Sequence, residues 1–423
     1  MRSCLAIFSS REHERRVASF DRMKILLLNH YFPPDTSATA RMATVVVGAL
    51  CARHDVTVLC GRPSYDSPQR FPWRLWQTEQ AGRLLIIRVG STDFERYQMK
   101  WRVVNYLSYA ALAGLRAIFT PCDVVLSMTD PPFMGIVGAF VARVKGKSYV
   151  YNIRDLYPEM ALAGKIVQPG LLTRVWTVLH QWALGCTTLV IALGEDMRAR
   201  LIARGVDPKR IAIVRDGADM PRADSPQPPL DREVIRTIRG EFRVVFLHAG
   251  NLGFYGAWDT LLAAARQLQD DGVGFVFVGE GAERARLENA AAEIRNVRFL
   301  PFFPANKIPS VLAAPDAHVI TVRRGLEGVV VPSKMYGILA AGRPIVALAA
   351  SESDPASLGA RQGFGVSADP DKPEELVAVV RALAADPAKI QRMAEAARVA
   401  AADYDRVSEH LKFVKFVEEV CQA

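Results

Sequence analysis

Residues 325–347 carry the stretch GLEGVVVPSKMYGILAAGRPIVA, which decides the fold. The pattern predicts a loop, a short helix and a buried strand. Pro332 fits the first turn of the helix, where a missing N–H needs no partner, and Gly342 fits the position after its end. The apolar run Ile345–Leu348 is typical of a buried strand. Because a helix start preceded by small residues binds phosphate groups, and Lys334 adds a positive charge there, the segment predicts an anion site.

Length and charge bound the possible functions. The chain has 423 residues, which is too long for one ordinary core and predicts two or three domains. The net charge of +9 favours anionic partners such as nucleotide phosphates or anionic lipid. No Lys/Arg run or RNA-binding aromatic signature accompanies this charge, so we expect no nucleic-acid partner. The six cysteines are scattered without a CxxC motif, which predicts reduced thiols, a cytoplasmic protein and no metal site.

The N-terminal residues and the most apolar stretch of the chain bear on targeting and on contact with a membrane. Residues 1–22 have an apolar piece too short for a signal peptide, so we interpret them as a mobile or non-native extension, with Met23 as the functional start. No uncharged apolar stretch reaches about 18 residues, so no transmembrane helix is predicted. Residues 103–119 come nearest.

Two interpretations of residues 103–119 remain open. The first is a buried core helix. The second is a helix lying on an anionic membrane surface, with Trp101, Tyr106 and Tyr109 at headgroup level.

Short apolar runs alternate with helical patterns along the whole chain. Runs rich in Val, Ile and Leu without polar alternation are typical of parallel strands buried on both faces. They form two series, residues 23–219 and 233–402, separated by the Pro-rich linker 220–232. We therefore predict an α/β protein of two doubly wound, Rossmann-like domains facing a central cleft, where ligands bind at the strand ends. The last residues, 403–423, predict a helix that packs back on the first domain.

Two loops of the first domain are candidates for the acceptor side and for catalysis. Residues 29–40, NHYFPPDTSATA, place His30, Pro34 and Ser37 between a strand and a helix, although an ordinary capped turn would look the same. Residues 153–159, IRDLYPE, place Arg154 and Asp155 at a strand end. Asp155 could deprotonate an acceptor hydroxyl and Arg154 could bind phosphate; the alternative is an ion pair between them.

Two glycine-containing loops of the second domain each follow a predicted strand. Residues 248–253 read HAGNLG, and residues 279–281 read GEG. Glycine lets the backbone approach a diphosphate or a base closely. Either loop alone is equally compatible with a plain turn, whereas the two together favour a nucleotide site.

These motifs resemble the retaining nucleotide-sugar glycosyltransferases of family 4 (group 1), which have the GT-B fold. The carriers are the loop 29–40, IRDLYPE, VRDGAD at 214–219, HAGNLG, VGEG at 278–281 and the opening segment. Together they resemble the branch that builds O-antigen, capsule and exopolysaccharide on lipid carriers. The resemblance implies sugar transfer from a nucleoside-diphosphate sugar without an essential metal or other cofactor. It implies donor-side roles for Gly250, Asn251, Gly253, Glu280, Gly281, Glu327, Gly328, Ser333 and Lys334, and places Arg154 and Asp155 in the cleft.

The chain departs from the family pattern at two places. Gly337 stands where a ribose-binding glutamate is expected, and Glu327 is not at the matching distance for the first glutamate. Phe254 and Tyr255 stand where many members have Arg or Lys. The donor phosphates are then expected to rest on Lys334 and helix dipoles, with either Arg323 or Arg324 as a further candidate.

The expected function is sugar transfer at the inner face of the cytoplasmic membrane, with the protein bound peripherally. The predicted partners are a nucleoside-diphosphate sugar, a polyprenyl-diphosphate-linked acceptor and anionic lipid. Catalytic roles are expected for Asp155, Arg154, Lys334 and Glu327. The alternatives are a non-catalytic GT-B protein that binds nucleotide or glycan, and a sugar-nucleotide epimerase.

Overall fold

A computed structural model describes residues 22–63, 72–94, 98–220 and 229–421. The predicted N-terminal extension therefore lies almost wholly outside the described residues, as does most of the predicted linker. The described residues form two α/β sheets, one in each half of the chain. The predicted fold class is confirmed.

The first sheet has the strand order β3-β4-β2-β1-β5-β6-β7-β8. All neighbours pair in parallel except β3 and β4, which are antiparallel. Strands such as β1 and β5 are buried on both faces, as their apolar sequences require. The strands are β1 Lys24–Leu28, β2 Asp55–Cys60, β3 Trp76–Ala81, β4 Leu84–Val89, β5 Val124–Ser127, β6 Ser148–Asn152, β7 Leu189–Ala192 and β8 Ile211–Ile213.

The second sheet is entirely parallel, with the strand order β11-β10-β9-β12-β13-β14. Its core is rich in aromatic rings, including Trp258, Phe275 and Phe277. The strands are β9 Val244–Ala249, β10 Val273–Val278, β11 Val297–Leu300, β12 Ala317–Thr321, β13 Ile345–Leu348 and β14 Gly365–Ala368.

Helices connect the strands and cover both sheets. Those of the first half are α1 Ala38–Cys51, α2 Met99–Ile118, α3 Met134–Lys145, α4 Glu159–Ala163, α5 Leu171–Gly185 and α6 Glu195–Ala203. Those of the second half are α7 Arg232–Arg239, α8 Trp258–Gln267, α9 Arg284–Ala290, α10 Ile308–Ala313, α11 Lys334–Ala340, α12 Asp354–Gln362, α13 Pro373–Ala385, α14 Pro387–Ala401 and α15 Arg406–Val420.

The last helix, α15, returns to the first domain. Phe413, Val414 and Val417 belong to the apolar cluster formed by α1 and the first sheet. Glu418 accepts hydrogen bonds from Arg53, at 2.9 Å, and contacts the ring of His54 at 3.0 Å. The chain therefore closes on its own first half after building the second domain.

The helix of the opening segment starts later than predicted. Ser333 is its N-cap and Lys334 its first residue, so Pro332 precedes the helix instead of lying in its first turn. Gly342 follows the helix with φ of +64°, the left-handed conformation that glycine adopts without strain. The short α11 places the Lys334 side chain at its start.

Helix α2 includes residues 103–118, and its orientation corrects part of the membrane prediction. Tyr106 and Tyr109 are buried, and the Tyr109 hydroxyl donates to the Leu59 carbonyl at 2.8 Å, so neither ring is available at headgroup level. The exposed face is instead aliphatic, with Leu107 at 54% and Leu115 at 52% exposure. In the parts of the chain that the structure describes, no helix is long and apolar enough to cross a membrane.

Candidate active site between the two domains

Two loops meet where the domains face each other. Residues 153–159 follow β6, and residues 325–330 lie in the connection between β12 and α11. The Leu156 backbone N–H donates to the Val329 carbonyl at 3.1 Å, and Asp155 pairs with Val330 as an antiparallel bridge. A backbone ladder across the cleft fixes the distance between the domains at this point.

Arg154 pairs with Asp216 and not with Asp155, the partner that the sequence suggests as an alternative. Its guanidinium lies 2.5 Å from one carboxylate oxygen of Asp216 and 2.6 Å from the other. Asp216 follows β8, two strands away from β6 in the sheet. The alternative of an Arg154–Asp155 ion pair is therefore wrong, because the Asp216 carboxylate holds the Arg154 guanidinium.

Asp155 lies at the cleft, and its carboxyl group is a weaker acid than that of an ordinary aspartate. Burial raises its pKa to about 6, while the Arg154 guanidinium lowers it and the Asp216 carboxylate raises it. A carboxylate of this basicity accepts a proton more readily near neutral pH than an ordinary aspartate does. Its position and acidity both suit a general base.

Lys334 and His248 form the charged centre of the opposite wall. The Lys334 ammonium donates to His248 Nε2 at 2.9 Å, and the other ring nitrogen, Nδ1, donates to the Val319 carbonyl at 3.2 Å. Burial and then the Lys334 charge lower the pKa of His248 well below its usual value, so the ring is neutral and can accept this bond. Burial also lowers the pKa of Lys334 to about 7.

Gly250 gives the Lys334 ammonium access to the loop after β9. A Cβ atom at Gly250 would lie 3.0 Å from Lys334 Nζ. The ammonium has three N–H donors and His248 takes one, so within the described residues two are left for an anion at this position. This arrangement suits a diphosphate.

The two glycine-containing loops pack against each other. Gly279 and Gly281 have φ of +152° and +157°, and a Cβ on either would collide with the carbonyl of Gly250 or Leu252. The Leu252 N–H donates to the Glu280 carbonyl at 2.8 Å. The structure thus brings together the predicted donor-side residues Gly250, Asn251, Gly253, Glu280 and Gly281.

The carboxylate of Glu280 takes no part in the contact between the two glycine-containing loops. It accepts from Arg284 on α9 at 2.6 Å, and it is more than half exposed. Ser333, also predicted on the donor side, is exposed and makes no capping hydrogen bond to α11. Their roles toward a nucleotide stay predictions.

Glu327 is engaged by the first domain. Arg200 on α6 donates to the Glu327 carbonyl and to the Gly325 carbonyl, and its guanidinium lies 3.5 Å from the Glu327 carboxylate. The other bond to this carboxylate comes from the Gly325 N–H at 2.9 Å. Within the described residues, the remaining oxygen, Oε1, is buried without a hydrogen-bond partner. The structure shows Glu327 holding its own loop; a role at the donor sugar stays a prediction.

Gly328 lies directly against α6. It has φ of +65°, and a Cβ there would lie 2.5 Å from the Asp196 carbonyl oxygen. The loop therefore needs glycine here for contact between the domains, a reason that the sequence did not reveal.

The two arginines assigned to donor phosphate bind elsewhere. Arg323 donates to the Ala163 carbonyl of the first domain at 3.1 Å. Arg324 forms ion pairs with Asp369 and Asp371 on the second domain. Both guanidinium groups therefore have protein partners in this structure, and a role for either one at the diphosphate stays a prediction.

Phe254 and Tyr255 also contact the first domain. Both pack against its core cluster, and a Cβ at Gly164 would lie 2.9 Å from the Phe254 ring. Burial raises the pKa of Tyr255 to about 12, and the Asp155 charge contributes. The aromatic pair that replaces the expected basic residue therefore packs against the other domain, near Asp155.

The predicted acceptor loop is held largely by contacts within the first domain. The His30 ring is buried, with Tyr31, Tyr106 and Tyr109 packed edge-on around it. Ser37 is the N-cap of α1 and accepts from the Ala40 N–H at 3.1 Å, and Pro34 is half-buried. Ser37 thus has the capping role that the sequence left open, whereas roles toward an acceptor stay predictions.

The fold and the site together define a GT-B protein whose second domain presents Lys334 at the cleft, in an arrangement suited to an anion. Residues 37–217 match the glycosyl transferase 4-like domain, and residues 232–400 match glycosyl transferases group 1. The chain belongs to the group 1 glycosyltransferases, and it is a glycosyltransferase.

Individual relatives agree with this assignment. The chain is 26% identical over 264 residues to "Probable glycosyltransferase WbjE" of Pseudomonas aeruginosa, a match that covers 61% of this chain and 65% of that protein, just under two thirds. It is 25% identical over 381 residues to "Putative colanic acid biosynthesis glycosyl transferase WcaI" of Escherichia coli K12, covering 85% and 91%. The crystal structure of Anabaena Alr3699/HepE in complex with UDP and glucose superposes with a TM-score of 0.64 at 16% identity, covering 94% of this chain and 100% of that one. At this identity the structural likeness shows the fold.

Proposed function

We propose that this protein transfers a sugar from a nucleoside-diphosphate sugar to a hydroxyl group of a lipid-linked glycan, in the synthesis of bacterial surface polysaccharide. The observation that carries the proposal is the Lys334 ammonium, held beside Gly250 by His248, in the same interdomain cleft as Asp155. The name of WcaI supports the polysaccharide role. The HepE complexes with UDP and with UDP-glucose support UDP as the nucleotide.

The proposed reaction exchanges one bond at the anomeric carbon. The bond from this carbon to the diphosphate oxygen breaks, and the electron pair leaves with the diphosphate. The acceptor oxygen forms the new bond, and Asp155 takes its proton. Lys334 stabilises the charge that develops on the leaving group, and the closed cleft keeps water from taking the place of the acceptor. Retention of configuration, and activity without a metal, are part of the proposal.

The acceptor side of the proposal places the protein in the cytoplasm, bound peripherally to the inner face of the membrane. Supporting this, α2 and α5 expose apolar side chains, including Leu107 at 54% and Leu172 at 86%. Basic residues lie on the same helices, among them Lys100 and Arg174. Apolar side chains with interspersed cations suit an anionic lipid surface.

The test has two stages. A panel of nucleotide sugars is screened for thermal stabilisation of the full chain, and the best binder is incubated with membrane lipid extract before mass spectrometry of lipid-linked products. Lys334→Ala should lower kcat/KM by about 10²-fold. Lys372→Ala is the matched control, because Lys372 is an exposed lysine of the same domain that pairs with Glu375.

Three results would contradict the proposal. Undiminished turnover in Lys334→Ala would exclude the phosphate role. Release of an altered nucleotide sugar without any acceptor would indicate an epimerase. Nucleotide-sugar binding without transfer to any lipid-linked product would indicate the non-catalytic alternative.

A further inference from the structure

Helix α6 of the first domain presents two arginines to the two loops that meet in the cleft. Arg200 lies in the helix, and Arg204 is its C-cap, four positions later. Side chains at this spacing leave the same face of a helix, one turn apart. Each of the two guanidinium groups has one of the two loops as its partner.

Arg200 holds the loop of the second domain. Its guanidinium donates to the Gly325 carbonyl at 2.7 Å and to the Glu327 carbonyl, and it lies 3.5 Å from the Glu327 carboxylate. A guanidinium group carries five N–H donors in a rigid plane, so it can bind several acceptors of one short segment in a fixed geometry. Arg200 thus fixes the backbone of residues 325–327 against the first domain.

Arg204 holds the loop that contains Asp155. Its guanidinium forms an ion pair with Glu159, which ends the loop 153–159 and begins α4. It also donates to His180 Nδ1 on α5 at 3.2 Å. Burial lowers the pKa of His180 to about 4, so the ring is neutral and its Nδ1 can accept this bond.

The buried interior of the first domain orients Arg204. The His180 ring is buried, and its Nε2–H donates to the Tyr151 hydroxyl oxygen at 3.2 Å, because Nδ1 is the accepting nitrogen. Tyr151 is a fully buried residue of β6, the strand that leads into the loop 153–159. A surface ion pair by itself contributes little. Here the guanidinium is 18% exposed and bonded to a buried ring, so Glu159 is held at a defined place relative to the sheet.

The two loops are also joined to each other. The Leu156 N–H donates to the Val329 carbonyl at 3.1 Å, and Asp155 pairs with Val330. Leu156 directly follows Asp155 and stands three positions before Glu159. Because each arginine holds one side of this contact, α6 is a common frame for both loops.

We propose that Arg200 and Arg204 are positioning residues, which align the Asp155 loop with the loop that precedes Lys334. The inference rests on the proposed function, because it takes Asp155 as the base and Lys334 as the group that binds the leaving diphosphate. Both arginines act through the loops and not on the substrate. A misplacement of about 1 Å can lower a rate about 10²-fold. Their loss should therefore appear in kcat more than in nucleotide affinity.

The kinetic experiment measures sugar transfer by the full chain carrying Arg204→Met. We expect kcat to fall by about 10²-fold, whereas the Kd for UDP, measured by calorimetry, should not change. Glu159→Ala should have the same effect, and Glu159→Gln should keep most of kcat, because its amide oxygen still accepts from Arg204. A residue that only stabilised the fold would lower the thermal midpoint without this split between kcat and UDP affinity.

Hydrogen exchange tests the alignment without any acceptor. The Val329 carbonyl protects the Leu156 N–H, so mass spectrometry of peptides that contain Leu156 measures opening of the contact between the loops. Arg200→Met and Arg204→Met should each accelerate this exchange about tenfold, as expected for the loss of a hydrogen bond to a charged group.

The matched control is Arg198→Met. Arg198 lies on the same helix, and its ion pair, at 3.7 Å, is with Glu195 of that helix. This variant should keep the kcat and the exchange rate of the wild type. An equal loss of kcat in Arg198→Met would overturn the inference, because the loss would then reflect α6 as a whole.

The two experiments separate this inference from the proposed function. Undiminished kcat in Arg204→Met, or unchanged exchange at Leu156 in both arginine variants, would overturn the positioning role, while sugar transfer by the wild type would still support the proposed function. Accelerated exchange in both variants of a protein that transfers no sugar would support the alignment of the loops by α6 and contradict the proposed function.

Discussion

Asp196 and Asp354 cap each other's helices across the two domains. The Asp354 N–H donates to the Asp196 carboxylate at 3.0 Å, and the Glu195 N–H donates to the Asp354 carboxylate at 2.9 Å. Burial and then the neighbouring Asp354 charge raise the pKa of Asp196 to about 6, and burial also raises the pKa of Asp354. The positive ends of α6 and α12 offset the repulsion of the two carboxylates. The two helix starts therefore form a contact that joins the two domains.

Replacing Asp354 by alanine should weaken this contact more than an ordinary cap does. The loss of an N-cap oxygen costs about 1–2 kcal/mol, and Arg215, 3.4 Å from Asp354, loses its partner as well. We expect a lower thermal midpoint and a higher KM for the nucleotide sugar. Differential scanning calorimetry and steady-state kinetics measure both.

The control for this prediction is Asp386→Ala. Asp386 caps α14 by accepting from the Lys389 N–H at 2.9 Å, entirely within the second domain. The Asp386→Ala variant should have a lower thermal midpoint but nearly the same KM for the nucleotide sugar. An equal rise in KM for the two variants would show that the interdomain position of Asp354 is unimportant.

The sequence predicts most strands because their local signal is strong. Runs of Val, Ile and Leu buried on both faces identify β1, β5 and β13 without knowledge of the fold. The sequence does not predict strand β3, because WQTEQA is polar and lies at an edge of the sheet. Strand β14 was missed because GVSA is short and contains little apolar surface.

The candidate site was only partly predictable for a different reason. Lys334 and Gly250 stand in motifs, so their meeting follows from the predicted fold. The pairing of Arg154 with Asp216 joins residues 62 positions apart in the chain, and it depends on β7 pairing with β6 on one side and with β8 on the other. VRDGAD contains Asp216, but this motif does not specify its partner. Similarly, the buried orientation of Tyr109 depends on how α2 packs.

Nucleotide affinity should fall as the pH rises above about 7. In the free protein burial lowers the pKa of Lys334 to about 7, so its ammonium is largely lost at higher pH. A bound diphosphate favours the charged form and raises this pKa, which means that binding takes up a proton above pH 7. Isothermal titration calorimetry with UDP in two buffers of different ionisation enthalpy measures this uptake. Lys334→Arg should abolish it, since arginine stays charged.

Gly337 is a position where the structure tolerates a side chain. A Cβ there would contact only the Leu312 side chain, at an ordinary 3.6 Å. Gly337→Ala should therefore stabilise the protein by up to about 1 kcal/mol, because glycine is unfavourable inside a helix. Gly337→Glu should bind UDP about fivefold more tightly if it restores one hydrogen bond to the ribose, worth about 1 kcal/mol. Thermal unfolding and calorimetry measure the two effects.

Gly279→Ala provides the opposite control. Its φ of +152° and the adjacent Gly250 carbonyl leave no space for a methyl group. This variant should be destabilised and should bind UDP weakly. Equal behaviour of the alanine variants at positions 279 and 337 would contradict the distinction drawn from the structure.

Removing either of the two charged neighbours of Asp155 should shift its pKa, and the two shifts should have opposite signs. The proposed base must be ionised, so kcat/KM rises with pH through a pKa of about 6. Asp216→Asn removes a negative charge and should move this rising limb of the pH profile to lower pH. Arg154→Met removes a positive charge and should move it to higher pH.

The control variant for the pH profiles is Asp219→Asn. Asp219 belongs to the same VRDGAD motif, but its side chain is exposed and paired with Arg406 at 2.9 Å. Its profile should coincide with that of the wild type. Because a loss of packing lowers activity without moving the limb, shifts of the same sign in Asp216→Asn and Arg154→Met would exclude Asp155 as the titrating group. Opposite shifts tie the limb to the carboxyl group that lies beside both side chains.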